Sequence, residues 1–358
     1  NCAQCHDHPL VEDWKQDHYF GMVSFFDRTF LTKKKTLAEK YSGEVKFKTT
    51  TGDEKLAQFM FLTGATVQEP PLELSEEERK SREQAIRRQM KEDDAPPLAP
   101  PEFSPRAALV GLALAGENQA FFSRAIVNRT WARLMGYPLV DPPDQMHSAN
   151  SASHPELLDW LARDLVEHGY DLKRLIRGIV LSEAYARTSR WSGESDAPWA
   201  GHHAVAIPRA LTPKQFALSL FVASRHPDQL ASAVSSDEWP KRREQLEKES
   251  NGLASQFEAP GEAFQVSVDE ALFFSNNERV QNELLRDSGD RLVGYLKEIP
   301  DRGEAIETAF RAVLSRAPEP EERSAFDAFL AEREERPVEG WQQVVWALLT
   351  SPEFRFNY

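Results

Sequence analysis

From residue 106 onward the apolar positions recur at helical spacing. RAALVGLALAGENQAFFSRAIVNRTWARLMG holds two such patterns, the second closing near Gly136 as a C-cap. SHPELLDWLARDLVEHG follows. Here the spacing predicts a capping box, with Ser153 at the N-cap and Glu156 at N3, a stripe of Leu157, Leu158, Leu161, Leu165 and Val166, and a stop at Gly169. Asp171 then opens DLKRLIRGIVLSEAY, with Leu172, Leu175, Ile176, Ile179 and Val180 expected to face inward. Further helices are predicted after Thr212, over 269–286 and 304–315, and over 320–334 and 339–349, whereas the polar stretch from Asp237 to Phe264 reads as irregular. Short connections favour a packed bundle.

The N-terminal third is patterned differently. Asp17 is placed to cap a short helix, HYFGMVSFFDRTF, on which Tyr19, Met22, Val23 and Phe26 share a face. Residues 41–67 alternate around Val45 and Phe47, with a turn signal at Thr51-Gly52-Asp53, and read as short strands. Between the two regions, 68–102 is a Pro-rich, highly charged linker whose middle is a candidate solvated helix. The fold class expected is mainly α: a helical, bundle-like C-terminal domain over 103–358, with a small Cys/His segment and a few short strands over 1–67.

Composition narrows the partners. Apolar residues are 41% of the 358, enough for a substantial core, and the formal net charge is -14. That balance argues against a nucleic-acid backbone or an anionic membrane surface. No stretch reaches the ~18–20 apolar residues of a membrane span. The chain begins inside a motif without an initiator Met, so it is expected to be a mature or truncated piece whose export signal lies upstream.

That motif is CAQCHDHP. Cys2 and Cys5 are the only cysteines, three apart, with His6 directly behind. Such a run suits covalent attachment of a c-type haem: two thiols reach two vinyl groups on one porphyrin edge, and His6 supplies the axial nitrogen. Further ligands to the iron are candidates at Met22, Met60, His8 and His18, although His8 sits too near His6 to reach the same iron. Zinc or non-haem iron is the alternative, with Asp7, His8, Asp13 or His18 completing the set. A redox dithiol or a structural disulfide is a third reading. Trp14, Tyr19, Phe20, Phe25 and Phe26 are candidates for an apolar haem wall, or simply for core packing.

A second cluster is HSANSASHPELLD, where His147 and His154 bracket a Ser/Asn-rich loop and Asp141, Asp144 or Glu156 stand near enough in sequence to help hold a metal. His202-His203, flanked by Trp191 and Trp199, reads as a solvated loop, with a surface metal or sugar-stacking patch as the functional alternative. No Gly-x-Ser-x-Gly elbow, P-loop, dinucleotide fingerprint or His-Glu-x-x-His run occurs.

CAQCHDHP, followed by Trp14, an aromatic pair and a Phe-Phe run, resembles the end of the cytochrome-like region of large secreted planctomycete proteins. NQAFFSRAIVNRTWARLMGYPLVDPPDQM, the SHPELLDW segment, DEALFFSNNERV and WALLTSPEFRFN resemble the secreted domain of unknown function that follows it in those proteins. The resemblance spans about 1–67 and 103–358. It implies an exported, periplasmic or secreted protein, and it carries over Cys2, Cys5, His6, His8 and Pro9 as motif positions. The charged stretch SEEERKSREQAIRRQMKEDD is long for the joint between the two regions. The functional expectation is therefore a c-type cytochrome-like electron carrier working with a redox partner protein. A helical binding or scaffold module of a secreted complex is the alternative, and a polysaccharide-acting enzyme with a site near His147 and His154 is a third.

Overall fold

Helices dominate the architecture, as the periodicity predicts. The computed structural model describes residues 2–9, 11–230, 234–258 and 267–357, residue 2 by its backbone alone. Contacts divide the chain between Ile207 and Pro208 into two units. Among the described residues no helix is long and apolar enough to cross a membrane.

The first unit opens with a 3-10 turn, Cys2–Gln4, and helix α1 (Gln16–Asp27). Three antiparallel hairpins follow: β1 (Thr29–Leu31) with β2 (Leu37–Glu39), β3 (Lys46–Lys48) with β4 (Glu54–Leu56), and β5 (Phe59–Met60) with β6 (Thr66–Val67). Gly52 turns the middle hairpin at φ 91°, and Phe47 is its buried residue, as the alternation predicts. α1 packs on β5. Its buried residues are Gln16, Gly21, Ser24 and Phe25, so the face shared by Tyr19, Met22, Val23 and Phe26 looks outward and lines a shallow apolar groove. Lys15, rather than Asp17, is the N-cap.

The charged segment contains a helix, α2 (Glu76–Lys91), capped by a Ser75–Glu78 box and without a buried residue. Then come α3 (Pro105–Ala113), α4 (Gly116–Met135), α5 (Pro155–Glu167) and α6 (Leu172–Val180). Val127 and Trp131 of α4, Leu158, Leu161 and Leu165 of α5, and Leu175 and Ile179 of α6 form the core of this part. Gly136 ends α4 at φ 80°, and the Asp171 carboxylate accepts from the Lys173 and Arg174 amides, both as expected.

Two details differ from expectation. Pro155 occupies the first turn of α5, so His154 is the N-cap and Ser153 lies outside the helix, its amide donated to the Leu139 carbonyl. On α6, Leu172 and Ile176 are exposed, because this nine-residue helix buries only the narrow stripe of Leu175 and Ile179 against α4 and α5.

The second unit contains β7 (Arg209–Ala210), α7 (Pro213–Ala223), α8 (Trp239–Ala254), α9 (Val268–Asn276), α10 (Leu292–Glu298), α11 (Arg302–Leu314), α12 (Pro320–Ala331), α13 (Pro337–Leu349) and β8 (Phe356–Asn357). β7 and β8 pair antiparallel, Arg209 opposite Asn357, so the chain end returns to the start of the unit. Its core gathers Phe216, Leu220, Leu253, Leu292, Phe310 and Val345. Arg355 lies over the Phe216 ring at 3.7 Å and pairs with buried Glu270 at 2.6 Å.

α8 corrects the irregular stretch. Leu246, Ser250, Leu253 and Ala254 are buried at i, i+4, i+7 and i+8, a helical stripe too sparse to stand out among charges. Residues 259–266 of that stretch lie outside the described residues. The helix expected over 269–286 is broken after α9 and resumes as a π-helical turn, Val280–Leu284.

Candidate functional site

The Cys/His run sits on the turn that precedes α1. The Asp7 carboxylate accepts from the Gln16 amide at 2.9 Å, satisfying one of the open donors at the start of α1. The buried Gln16 side chain reaches back to the Gln4 and Lys48 carbonyls. The turn is therefore fastened to the start of α1, which the same Gln16 side chain ties to β3.

Cys5 is an exposed free thiol, and His6 is exposed beside it. The His6 Nδ1 lies 2.6 Å from the Asp7 carbonyl oxygen. A carbonyl only accepts, so Nδ1 carries the proton and Nε2 keeps its lone pair. That is the tautomer an axial ligand needs, held by the kind of backbone contact that orients metal-binding histidines. The Cys2 side chain lies outside the described atoms. The chemistry of Cys5 and His6 thus fits attachment of a haem at this turn.

Most of the expected haem wall is used in packing. Phe25 is fully buried against Phe59, Phe20 stacks on Phe47 at 4.3 Å, and Tyr19 sets its edge to Phe20. Trp14 stands between the rings of His8, at 5.7 Å, and His147, at 5.0 Å. Only Phe26 remains largely open, 51% exposed, in the groove with Met22. Met60 is pressed against Gly21 of α1. Among the described residues, no three His, Cys, Asp or Glu side chains gather closely enough to hold a metal ion; the Cys2 side chain of the expected set lies outside them.

Beside this turn lies a cleft of about 640 Å3. Trp14 and His18 come from the N-terminal segment, Phe121 and Arg124 from α4, His147 from the loop after α4, and Asp159 from α5. The loop is held by Asn128, which is wholly buried. Its Oδ1 accepts from the Leu139 and Val140 amides, and its Nδ2 donates to the Val140 and Pro143 carbonyls. Asp13 fastens the loop from the other side, accepting from the Ser148 amide at 2.6 Å and the Ser148 hydroxyl at 3.0 Å. Those hydrogen bonds keep the Asp13 carboxyl below the usual carboxylate range.

Part of the charge in the cleft is answered within it, while Glu12 and Lys15 also line it. Arg124 pairs with Asp159 at 2.6 Å, and Asp13 is bound to Ser148. His18 accepts from the Lys15 amide at Nδ1, which leaves Nε2–H free, and burial lowers its pKa so that it is neutral at pH 7. His147 has a buried Nδ1 without a hydrogen-bond partner. This arrangement can hold an uncharged ligand with a ring to lay against Trp14 and groups to meet the two imidazoles.

Sequence spacing did not join these parts. It placed His147 with His154, but the His154 ring packs 5.9 Å from that of His203. Asp141 is engaged with Tyr137, whose hydroxyl donates to its carboxylate at 2.8 Å. His203, expected in a solvated loop, is only 6% exposed; it accepts from the Trp131 indole, while His202 stays exposed. The meeting of Trp14 with His147 was missed because nothing local signals a contact between residues so far apart along the chain.

In comparison with protein families, the family model PSD1, a protein of unknown function (DUF1553), matches residues 105–256, from the first residue of α3 to just beyond α8. It takes in His147, His154 and His203 and leaves the Cys/His run outside. No curated protein and no solved structure matches the chain.

Proposed function

We propose that the Cys2-x-x-Cys5-His6 run carries a c-type haem and that the protein is an electron carrier outside the cytoplasm, working with a redox partner protein. The observation that carries this reading is the His6 contact: Nδ1–H is held by the Asp7 carbonyl and Nε2 is left with its lone pair, one residue from the open Cys5 thiol. Cys2 and Cys5 would tether the group, His6 would ligate the iron, and Asp7 with Gln16 would keep the turn in place. When bound, the haem supplies one-electron chemistry.

The test is a pyridine haemochrome spectrum with denaturing-gel haem staining, on protein expressed with a cytochrome c maturation system. Covalent haem that disappears in Cys2→Ser/Cys5→Ser is the expected result. Well-folded, exported protein without haem would overturn the reading.

The cleft favours a second reading, a binding module without haem. Arg124 is paired with Asp159 and Asp13 with Ser148, Trp14 lines the cleft, and the His18 and His147 imidazoles keep groups to offer, a setting suited to a small uncharged ring compound. Under this reading the helical fold and ligand binding both survive the cysteine substitutions.

A further inference from the structure

The second unit holds a cavity of about 390 Å3 that neither reading uses. It opens among α9, the Val280–Leu284 π-turn and α13, over a floor of Phe274 and Leu285. Two stretches quoted from the sequence, DEALFFSNNERV and WALLTSPEFRFN, meet here: the first brings Phe274 and Ser275, the second Trp346.

The lining is organised around one fixed aromatic surface. The Trp346 indole N–H donates to the Phe274 carbonyl at 3.0 Å, which sets the ring, and the side chain remains 37% exposed. Gln342 is likewise committed, its amide donating to the Leu285 carbonyl at 3.0 Å. Gln281 and Gln343 are exposed and make no side-chain hydrogen bond among the described residues. Gln281 stands on the π-turn, whose Leu285 N–H to Val280 carbonyl bond inserts one extra residue into the helical ladder. Such turns are frequent where a fold presents a side chain to a ligand.

Chemistry selects the occupant. Among the described residues, Glu339 is the only charged side chain on the lining, and it is paired with Arg336 at 3.1 Å. An anion meets no cation here. For a cation, the carboxylate is already answered, and one indole does not make an aromatic cage. A wholly apolar ligand would strip water from two amides and return no hydrogen bond. What remains is an uncharged ring with an apolar face for Trp346 and a hydroxyl-bearing edge for the amides, each of which offers both donors and an acceptor.

We infer that this cavity is a saccharide-binding subsite, with Trp346 as the platform and Gln281 and Gln343 as the groups that read the hydroxyls. The site stands independently of the haem reading.

The experiment is saturation-transfer NMR on the full chain, titrated with glucose, galactose, N-acetylglucosamine and cellobiose, with adenosine as a non-sugar ring. At least one sugar should bind with a Kd of about 1 mM. Gln281→Ala and Gln343→Ala should each weaken it by roughly fivefold, with unchanged circular dichroism because both side chains are exposed. Three results would overturn the assignment: no sugar binding up to about 20 mM, affinity unaltered in both variants, or binding of adenosine in preference to every sugar.

Discussion

The indole N–H of Trp131 donates to Nε2 of His203 at 3.2 Å, within a wall that buries both rings. Because Nε2 accepts, the ring proton sits on Nδ1, which has no partner. Arg187 donates to the His203 carbonyl, the His154 ring lies 5.9 Å away, and the Tyr137 ring lies 6.4 Å away. A second proton would have to face the indole N–H.

Burial, and then His154 and Arg187, push the His203 pKa down to about 4. The unfolded chain takes up this proton near pH 6.5, and the folded one only near 4. The stabilisation is therefore complete above pH 6.5 and is lost as the pH falls towards 4, by up to roughly 3 kcal/mol. Thermal melts between about pH 7 and about pH 4.5 should show the loss, and His203→Gln should flatten it. An identical slope in the variant would refute the assignment.

Asn128 offers a test of how the cleft loop is held. Asn128→Ala removes four hydrogen bonds from a fully buried site and leaves the Leu139 and Val140 amides without acceptors. At about 1 kcal/mol for each bond, and more for buried groups left open, the loss should reach roughly 3 kcal/mol or beyond. Asn128→Asp keeps the two acceptors but buries a charge and loses both donors, so it too should destabilise. Denaturant midpoints decide the matter, and a loss under about 1 kcal/mol for Asn128→Ala would show that the loop is held by other means.

What the sequence makes legible here is local. Gly136 and Asp171 mark helix ends because a left-handed cap and a carboxylate N-cap act within one turn. Phe47 reads as buried because strand alternation has a period of two. α8 stayed hidden because its buried stripe is thin and polar, and Ser153 lost the cap to His154 once Pro155 took the first helical position. The Cys/His run was visible as chemistry. Its neighbours were not, since Trp14 meeting His147 and Asp13 meeting Ser148 depend on how distant segments pack. Between the two roles open to the aromatic run, Phe20 and Phe25 take up core packing, with partners on β3 and β5 that spacing cannot reveal.

Asp13→Ala should loosen the cleft loop without unfolding the chain. Both Asp13 oxygens bind Ser148, and no other contact of comparable geometry crosses from the N-terminal segment to Ser148 among the described residues. Hydrogen exchange of the Ser148 amide should quicken by roughly fivefold, the worth of about one such bond. Global stability should change by no more than about 1 kcal/mol, because the site is partly open to water. Unchanged exchange at Ser148 would mean that the loop is ordered by Asn128 alone.

Two glycines should respond to alanine in opposite directions. In α1, a Cβ on Gly21 would lie 2.6 Å from the Met60 Cβ and 3.0 Å from the Met60 carbonyl oxygen. Backbone cannot yield as a flexible side chain does, so α1 must lift from β5, and Gly21→Ala should lose about 1–3 kcal/mol. In α6, a Cβ on Gly178 meets nothing within 4 Å, and its φ is not left-handed. Gly178→Ala should gain about 0.5–1 kcal/mol by removing backbone freedom from the unfolded chain. Urea midpoints followed by circular dichroism compare the two directly. The contrast bears on function as well as stability, since Asp7 and Gln16 fasten the Cys/His turn to the start of the helix that Gly21 keeps seated. Under the proposal that the run carries a haem, covalent loading should fall along with stability in Gly21→Ala and should not in Gly178→Ala. Equal loading in the two variants would show that the turn holds its shape without α1 seated on β5.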